Sequence, residues 1–407
     1  MTLLHFFRDG LRAMFQGGKG YWTWLALLFA LIAIGCWYYI IQLQQGLVIT
    51  GMSDQVSWGF YIANFTFMVG IAAASVLLVI PAYLFHREDV KRVVLIGKAM
   101  AVAAVITAIL LVVVDLARPD RFWHIIPFIG RFNFPLSMLA WDVVVLYGYL
   151  FLNLLIPFYI LYKHYRGLQP RLTAYLPFVV ITIFWAISIH TVTAFLFSAN
   201  SGRPFWHTAL LGPRFLASAF VSGPALIIVS LLLIRRYWKF QIGQAVINML
   251  GIILMFALYT NLFFVGVELF TDLYNETDHA ASIRYLYLGL HGFYGLTPWI
   301  WTALVLNSIA VLMLSIEKLR HNQAMLVVAC GLSTVGIWIE KGMGFVIPGF
   351  IPTPTGEIFE FTPTFPEVMI TVGCWAIGAL VFTLLARAAT AIESGDCVHQ
   401  SLASDSH

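Results

Sequence analysis

The chain has 407 residues, of which 61% are hydrophobic and 10% charged. Soluble globular domains carry roughly 25% charged residues, so the composition excludes one and describes a polytopic membrane protein surrounded by lipid bilayer. The net charge of +4 says little by itself, and no nucleic-acid partner is expected.

Residues 1–21 are amphipathic, with Phe6, Phe7, Leu11, Met14 and Phe15 set against Arg8, Arg12 and Lys19. The apolar run that follows is long enough to span, so this segment is not a cleavable signal. A spanning helix needs about 20 apolar residues. Such runs occur at about 22–43, 58–85, 93–117, 136–163, 172–199, 208–234, 243–270, 294–317, 323–346 and 366–390. The expected fold class is therefore an all-α polytopic membrane protein: ten transmembrane helices within 22–392, then a polar cytoplasmic tail at 393–407. Most of the 23 Lys and Arg, Lys98 among them, fall on one side of this alternation. Basic residues mark the cytoplasmic side, which puts both termini there. The exceptions outside are Arg118, Arg121, Arg131, Arg203, Arg214, Arg284 and Lys341. The longer outside connections, 118–135, 199–208, 271–293 and 347–366, are rich in Pro, Gly, Phe and Trp. They read as ordered caps that pack on something, or as an aromatic interface belt.

Polar residues inside the spans carry the functional information, because an ionisable group in a bilayer is expensive. Asn64, Asp115, Asp142, His190 and Glu268 all fall near the outer ends of their spans. His291 precedes span eight, and Glu340 and Lys341 end span nine on that side. All lie in roughly the outer third at 1.5 Å per residue. The inner half offers only neutral groups such as Asn153, Ser230, Asn248 and Tyr259. Each candidate also has a purely structural reading. Asp115 could pair with Arg118, His190 could be a neutral bonded histidine, and Asn64 could bridge helices. Glu268 could be solvated at the interface, and Arg203 and Arg214 could be loop charges.

A histidine and a carboxylate at one depth suit a quinone headgroup, which needs hydrogen-bond donors and proton-exchanging groups. Phe195, Trp141 and Trp206 could wall it. The cysteines, Cys36, Cys330, Cys374 and Cys397, form no C-x-x-C. An iron–sulfur cluster or structural zinc at the usual spacings is thus not expected in this chain, and any cluster must come from another subunit. Bis-histidine haem is disfavoured, since only His190 lies clearly at depth. A secondary transporter is the alternative, but its Gly/Pro-broken midplane helices are not evident. A structural anchor is another, but it would not need Asp142 and His190 inside the membrane.

Several stretches resemble the NrfD/PsrC superfamily of quinone-interacting membrane subunits, in its ten-span HybB/DsrP/QrcD-like branch. They are Trp58–Phe65, Asp115–Arg121, Pro135–Asp142, Ser188–Pro224 and Glu360–Glu367. One departure is Phe361, where a tyrosine is expected. The resemblance implies two four-helix bundles, about 58–199 and 208–346, with spans one and ten as flanks. It also implies menaquinone as substrate, bound in the first bundle of a bacterial inner-membrane complex. The implied partners are a periplasmic four-cluster iron–sulfur subunit and a molybdopterin-type or multihaem cytochrome c subunit. The combined expectation gives His190 and Asp142 quinone contact or protonation, and Asp115 proton exchange with Arg118 tuning its charge. Asn64 would position the headgroup and Trp141 would wall it. Trp123, Arg203, Trp206 and Arg214 would dock the iron–sulfur subunit, and Glu268 would serve a second-bundle proton path.

Overall fold

The structure, a computed structural model, describes residues 2–126, 128–275 and 280–395. The predicted tail from residue 396 onward, with Cys397, lies outside the described residues. Among those residues, helices account for all the regular structure. In lipid every backbone N–H and C=O must be satisfied internally, which a helix does within its own segment.

An amphipathic helix, α1 (Thr2–Met14), precedes ten spanning helices. These are α2 (Lys19–Gln45), α3 (Phe60–Leu84), α4 (Glu88–Asp115), α5 (Met138–Tyr165) and α6 (Leu172–Ser198). Then come α7 (Leu211–Tyr237), α8 (Gln244–Asn275), α9 (Thr297–Ser315), α10 (Gln323–Lys341) and α11 (Phe365–Glu393). Helices α3, α4, α5 and α6 pack as one group of neighbours, and α7, α8, α9 and α10 as another. The groups meet where α7 lies against α3 and α6, while α2 packs on α11 and α11 on α4. Burial follows from this arrangement. The apolar windows of α3 and α4 are 76% and 78% buried, against 17% for α2. Helix α2 accordingly turns Trp22, Leu27, Phe29 and Trp37 outward, onto the lipid.

Two features shape the site. First, α3 is irregular: a 3-10 turn at Ala73–Ser75, a short α segment, then a π turn at Ile80–Leu84 containing Pro81. Proline supplies no N–H, and such breaks re-aim side chains. Second, α11 opens with a capping box, in which Thr364 and Glu367 satisfy each other's backbone donors. Glu367 also accepts from the backbone N–H of Phe60 (2.9 Å) and of Gly51 (3.1 Å), tying α11 to the start of α3.

At the opposite end of the molecule, which we call the Glu88 end, α1 lies across α5 and α11. Phe6 makes edge contacts with Tyr162 and Tyr165, and the Tyr165 hydroxyl donates to Asp9 (2.7 Å).

The fold corrects one expectation. Lys98 is not a flanking basic residue: it lies well inside α4 and is fully buried. Glu340 and Lys341 end α10, as expected, but without reaching solvent. The chain continues through short helical turns at Met343–Val346 and Ile347–Phe350, which bury both side chains.

Candidate functional site

At the Asp115 end of the first group, α5 and α6 bring Asp142, Thr193 and His190 together. Asp142 is buried near the start of α5. The Thr193 hydroxyl lies within hydrogen-bond distance of Asp142 Oδ1 (2.9 Å) and of the Ile189 carbonyl (2.7 Å), and donates to one of them at a time. His190 is buried one turn from Thr193 on the same face of α6. Its Nδ1 lies 3.0 Å from the Ala186 carbonyl, which can only accept, so Nδ1 carries the proton. In the neutral ring Nε2 is then a bare acceptor, and it is buried without a hydrogen-bond partner among the described residues.

Lys341 is buried where the second group meets the first, its carbonyl 2.9 Å from the Thr66 hydroxyl of α3. Its Nζ donates to the Phe215 carbonyl (3.2 Å) and stands 4.5 Å from the centre of the Phe215 ring. A Cβ on Gly70 would come within 3.2 Å of that nitrogen, so the glycine leaves room for the lysine.

Asn64 is fully engaged by its neighbours. Its Nδ2 donates to the Phe60 carbonyl, and its Oδ1 accepts from Trp338 Nε1 (2.9 Å), so it bridges the two groups. Asp115 ends α4 with Oδ1 buried and unpartnered. Arg118 does not reach it. Its guanidinium forms a two-point contact with Asp120, both bonds 2.9 Å, holding that exposed carboxyl below the usual carboxylate range. The expected Arg118–Asp115 pairing is thus replaced by a surface pair two residues on. Trp141 donates through Nε1 to the Pro135 carbonyl and packs on Phe134, against its own loop.

The outer loops divide. Trp123 is exposed and stacked on His124, and Arg203 is half-buried, 4.7 Å from the centre of the Phe350 ring. Trp206 and Arg214 are buried, which corrects their assignment to a docking surface. Trp206 turns inward, donates to the Phe345 carbonyl (3.1 Å) and packs on Trp58, Phe197 and Phe350. A Cβ on Gly349 would collide with the Trp206 ring, so only glycine admits it.

Arg214 anchors a second polar cluster. It contacts Glu268 directly, and its Nη2 lies 3.6 Å from Glu340 Oε1. Glu340 also accepts from Asn261 (3.1 and 3.0 Å) and Asn307 (3.1 Å). Sequence reasoning passes over three buried features: Lys98, Glu367 and the depth of Glu340. Lys98 sits inside a predicted apolar run, and Glu367 completes a Thr-x-x-Glu capping box, so both leave a sequence signal.

Two clefts open at this end. One, of about 620 Å³, lies between α6 and α7 and is lined by Thr191, Phe195, Ser198, His207 and Thr208. The other, of about 460 Å³, is lined by Tyr39, Gln42, Leu116, Arg118 and Asp120 beside Asp115. Both volumes fall in the usual range for small-molecule sites, about 300–1,000 Å³.

Known proteins place this arrangement in a family. Residues 48–349 match the family described as polysulphide reductase, NrfD. A putative dimethyl sulfoxide reductase membrane subunit of Halobacterium salinarum is 28% identical, covering 89% of both chains. An Hdr-like menaquinol oxidoreductase integral membrane subunit of Archaeoglobus fulgidus is 24% identical over 89% of this chain and 92% of its own. A selenate reductase subunit of Mesobacillus selenatarsenatis is 24% identical over 94% and 96%. With the family match spanning most of its membrane helices, this chain belongs to the NrfD family.

Proposed function

We propose that this chain is the quinone-reactive membrane subunit of a multi-subunit oxidoreductase in a bacterial inner membrane, with menaquinone as its substrate. The carrying observation is His190: a buried imidazole whose Nδ1 proton is fixed and whose Nε2 has no partner among the described residues, one helical turn from the threonine that bonds a buried carboxylate. A quinone carbonyl accepts hydrogen bonds, and its reduction takes up two electrons and two protons. Protonated Asp142 can donate to a quinone carbonyl, and the bare Nε2 of His190 can accept from the hydroxyl of the quinol. Asp115 is a further exchange group, while Glu268 stays in its ion pair. The menaquinol named for the Archaeoglobus relative, and the reductases named for the others, support the ligand and complex class.

In this reading electrons pass to or from a periplasmic four-cluster iron–sulfur subunit docked at the Asp115 end. Trp123 and Arg203 contribute to that surface, and both termini are cytoplasmic. The line of carriers ends in a molybdopterin-type or multihaem cytochrome c subunit. The test is turnover of a soluble naphthoquinone by the intact complex carrying His190→Ala or Asp142→Asn. Each variant is expected to assemble and lose at least about 100-fold in rate, the lower end of general acid–base contributions. Wild-type turnover in both would refute the assignment.

A further inference from the structure

The first group holds a second ionisable residue far from the quinone-directed pair. Lys98 lies ten residues after Glu88 along α4, about 15 Å from the Glu88 end and about 25 Å from Asp115. It is fully buried, and its Nζ has one hydrogen-bond partner, Asn153 Oδ1 at 3.3 Å. An ammonium has three protons to donate. Among the described residues, no ion pair involves it. A fixed charge placed this way is costly in a membrane interior. A neutral amine is not, and its lone pair can accept a proton.

From Asn153, the hydrogen-bond partner of Lys98, a run of polar groups leads along α5. Asn153 lies on the same face of α5 as Tyr149 and Asp142, spaced four and seven residues apart. Asn153 Nδ2 donates to the Tyr149 carbonyl (2.9 Å). The Tyr149 hydroxyl donates to the Ala72 carbonyl (3.1 Å), so in its 2.8 Å contact with Ser75 the serine is the donor. These contacts fall where α3 departs from regular α geometry, at Ala73–Ser75. Ser75, Tyr149 and Asn153 are all buried. Asp142 stands about 10 Å beyond Tyr149 along the same helix face. Helix α11, also packed on α4, has Glu367 in its first turn and Arg387 and Glu393 towards its other end, with Cys374 between them.

We propose that Lys98 is a proton-carrying residue that connects the Glu88 end of the membrane to the Asp142–His190 pair. The proposal rests on the quinone reading above. In the reducing direction the Lys98 ammonium releases a proton along the Tyr149–Ser75 hydroxyls and intervening water to the Asp142 carboxylate. Lys98 is left as a neutral amine and regains a proton from solvent at the Glu88 end. Two such transfers match the two electrons that the reduced iron–sulfur partner delivers, and quinol oxidation runs the sequence backwards. Lys98 touches no substrate, so its role is transfer through other groups.

The test uses the intact complex in vesicles with a trapped pH dye, reducing menadione with reduced methyl viologen as donor. Wild type is expected to take protons from the Glu88-side compartment. Lys98→Met and Lys98→Arg should both slow turnover by roughly 100-fold and abolish that uptake, with menadione binding unchanged. Tyr149→Phe should fall between. The arginine variant is decisive, because it keeps the charge and stem but does not release its proton. A merely structural cation would be rescued by arginine, and wild-type turnover in Lys98→Arg overturns the proposal even if Lys98→Met fails to assemble. Wild-type turnover in an assembled Lys98→Met complex overturns it too. Loss in Asp142→Asn without loss at Lys98 sinks this inference alone. Wild-type rates in Asp142→Asn and His190→Ala sink the quinone reading beneath it.

Discussion

The two helix groups treat buried charge in opposite ways. In the second, Arg214 contacts Glu268 and stands beside Glu340, which accepts from Asn261 and Asn307 while Lys341 follows it in sequence. One guanidinium there answers two carboxylates, while Lys341 is held by the Phe215 carbonyl and ring. In the first, among the described residues, Asp142 has one threonine, His190 one carbonyl, Lys98 one amide, and Asp115 Oδ1 nothing. In a low-dielectric interior a satisfied pair fixes both charge states, because losing one partner strands the other. Groups held by single neutral bonds are free to change protonation or take a ligand. The difference supports the proposal that the first group carries the chemistry.

Removing one member of the paired cluster should produce the largest effect. Arg214→Ala leaves the buried Glu340 and the half-buried Glu268 without their guanidinium, and breaking a buried pair costs about 3–5 kcal/mol. Thermal unfolding of the purified complex should show it as a large loss or as failed assembly. Asp142→Asn should cost less than about 1 kcal/mol of stability, since an amide still accepts from Thr193. Equal destabilisation by the two would end the distinction. Glu340→Gln keeps the shape and the Asn261 and Asn307 contacts but strands part of the Arg214 charge, so about 1–3 kcal/mol is expected. Thr193→Val is smaller in stability and sharper in function. It removes the hydroxyl that donates to Asp142, and a net hydrogen bond of about 1 kcal/mol corresponds to a several-fold change in turnover. A change in binding alone, with kcat intact, would mean that Thr193 serves the pocket and not the proton.

Much of this is legible in the residues. Ten apolar runs foretell ten spans, because bilayer thickness sets length and hydropathy reports it. The depth shared by Asp142 and His190 follows from counting along helices. What the count misses has physical causes. A run that begins at 93 puts Lys98 at the flank, whereas Glu88 and Asp89 favour the helix N-terminus and α4 starts with them. That places the lysine nearly three turns inside. Trp206 and Arg214 read in sequence as loop residues available to a partner. The burial of Trp206 depends on the 204–206 turn folding beneath 345–350, a contact between segments far apart in sequence that no local pattern encodes. Arg118 has two aspartates within reach along the chain, and spacing does not choose between them: Asp115 faces into the helix group while Asp120 shares the surface loop.

The smallest expected effect extends the comparison to a place where water competes. Asp9 on α1 is paired, like the interior carboxylates of the second group, but it is partly exposed. The Tyr165 hydroxyl, helped by Arg8, holds its carboxyl below the usual range. Its stabilisation is therefore complete above the unfolded value of about 3.9 and is lost as pH falls through the lower folded value. Exposed pairs contribute little, so the consequence is local. Amide protection across Thr2–Met14, taken relative to the intrinsic exchange rate at each pH, should fall modestly as pH drops below about 4, the unfolded value. Asp9→Asn, which cannot ionise, should flatten this dependence, while the interior helices remain unchanged. If α1 loosened instead as pH rose, the pairing could not be what docks it. If acid loosened the whole fold with it, α1 would belong to the core and the division between surface and interior pairing would fail at this point.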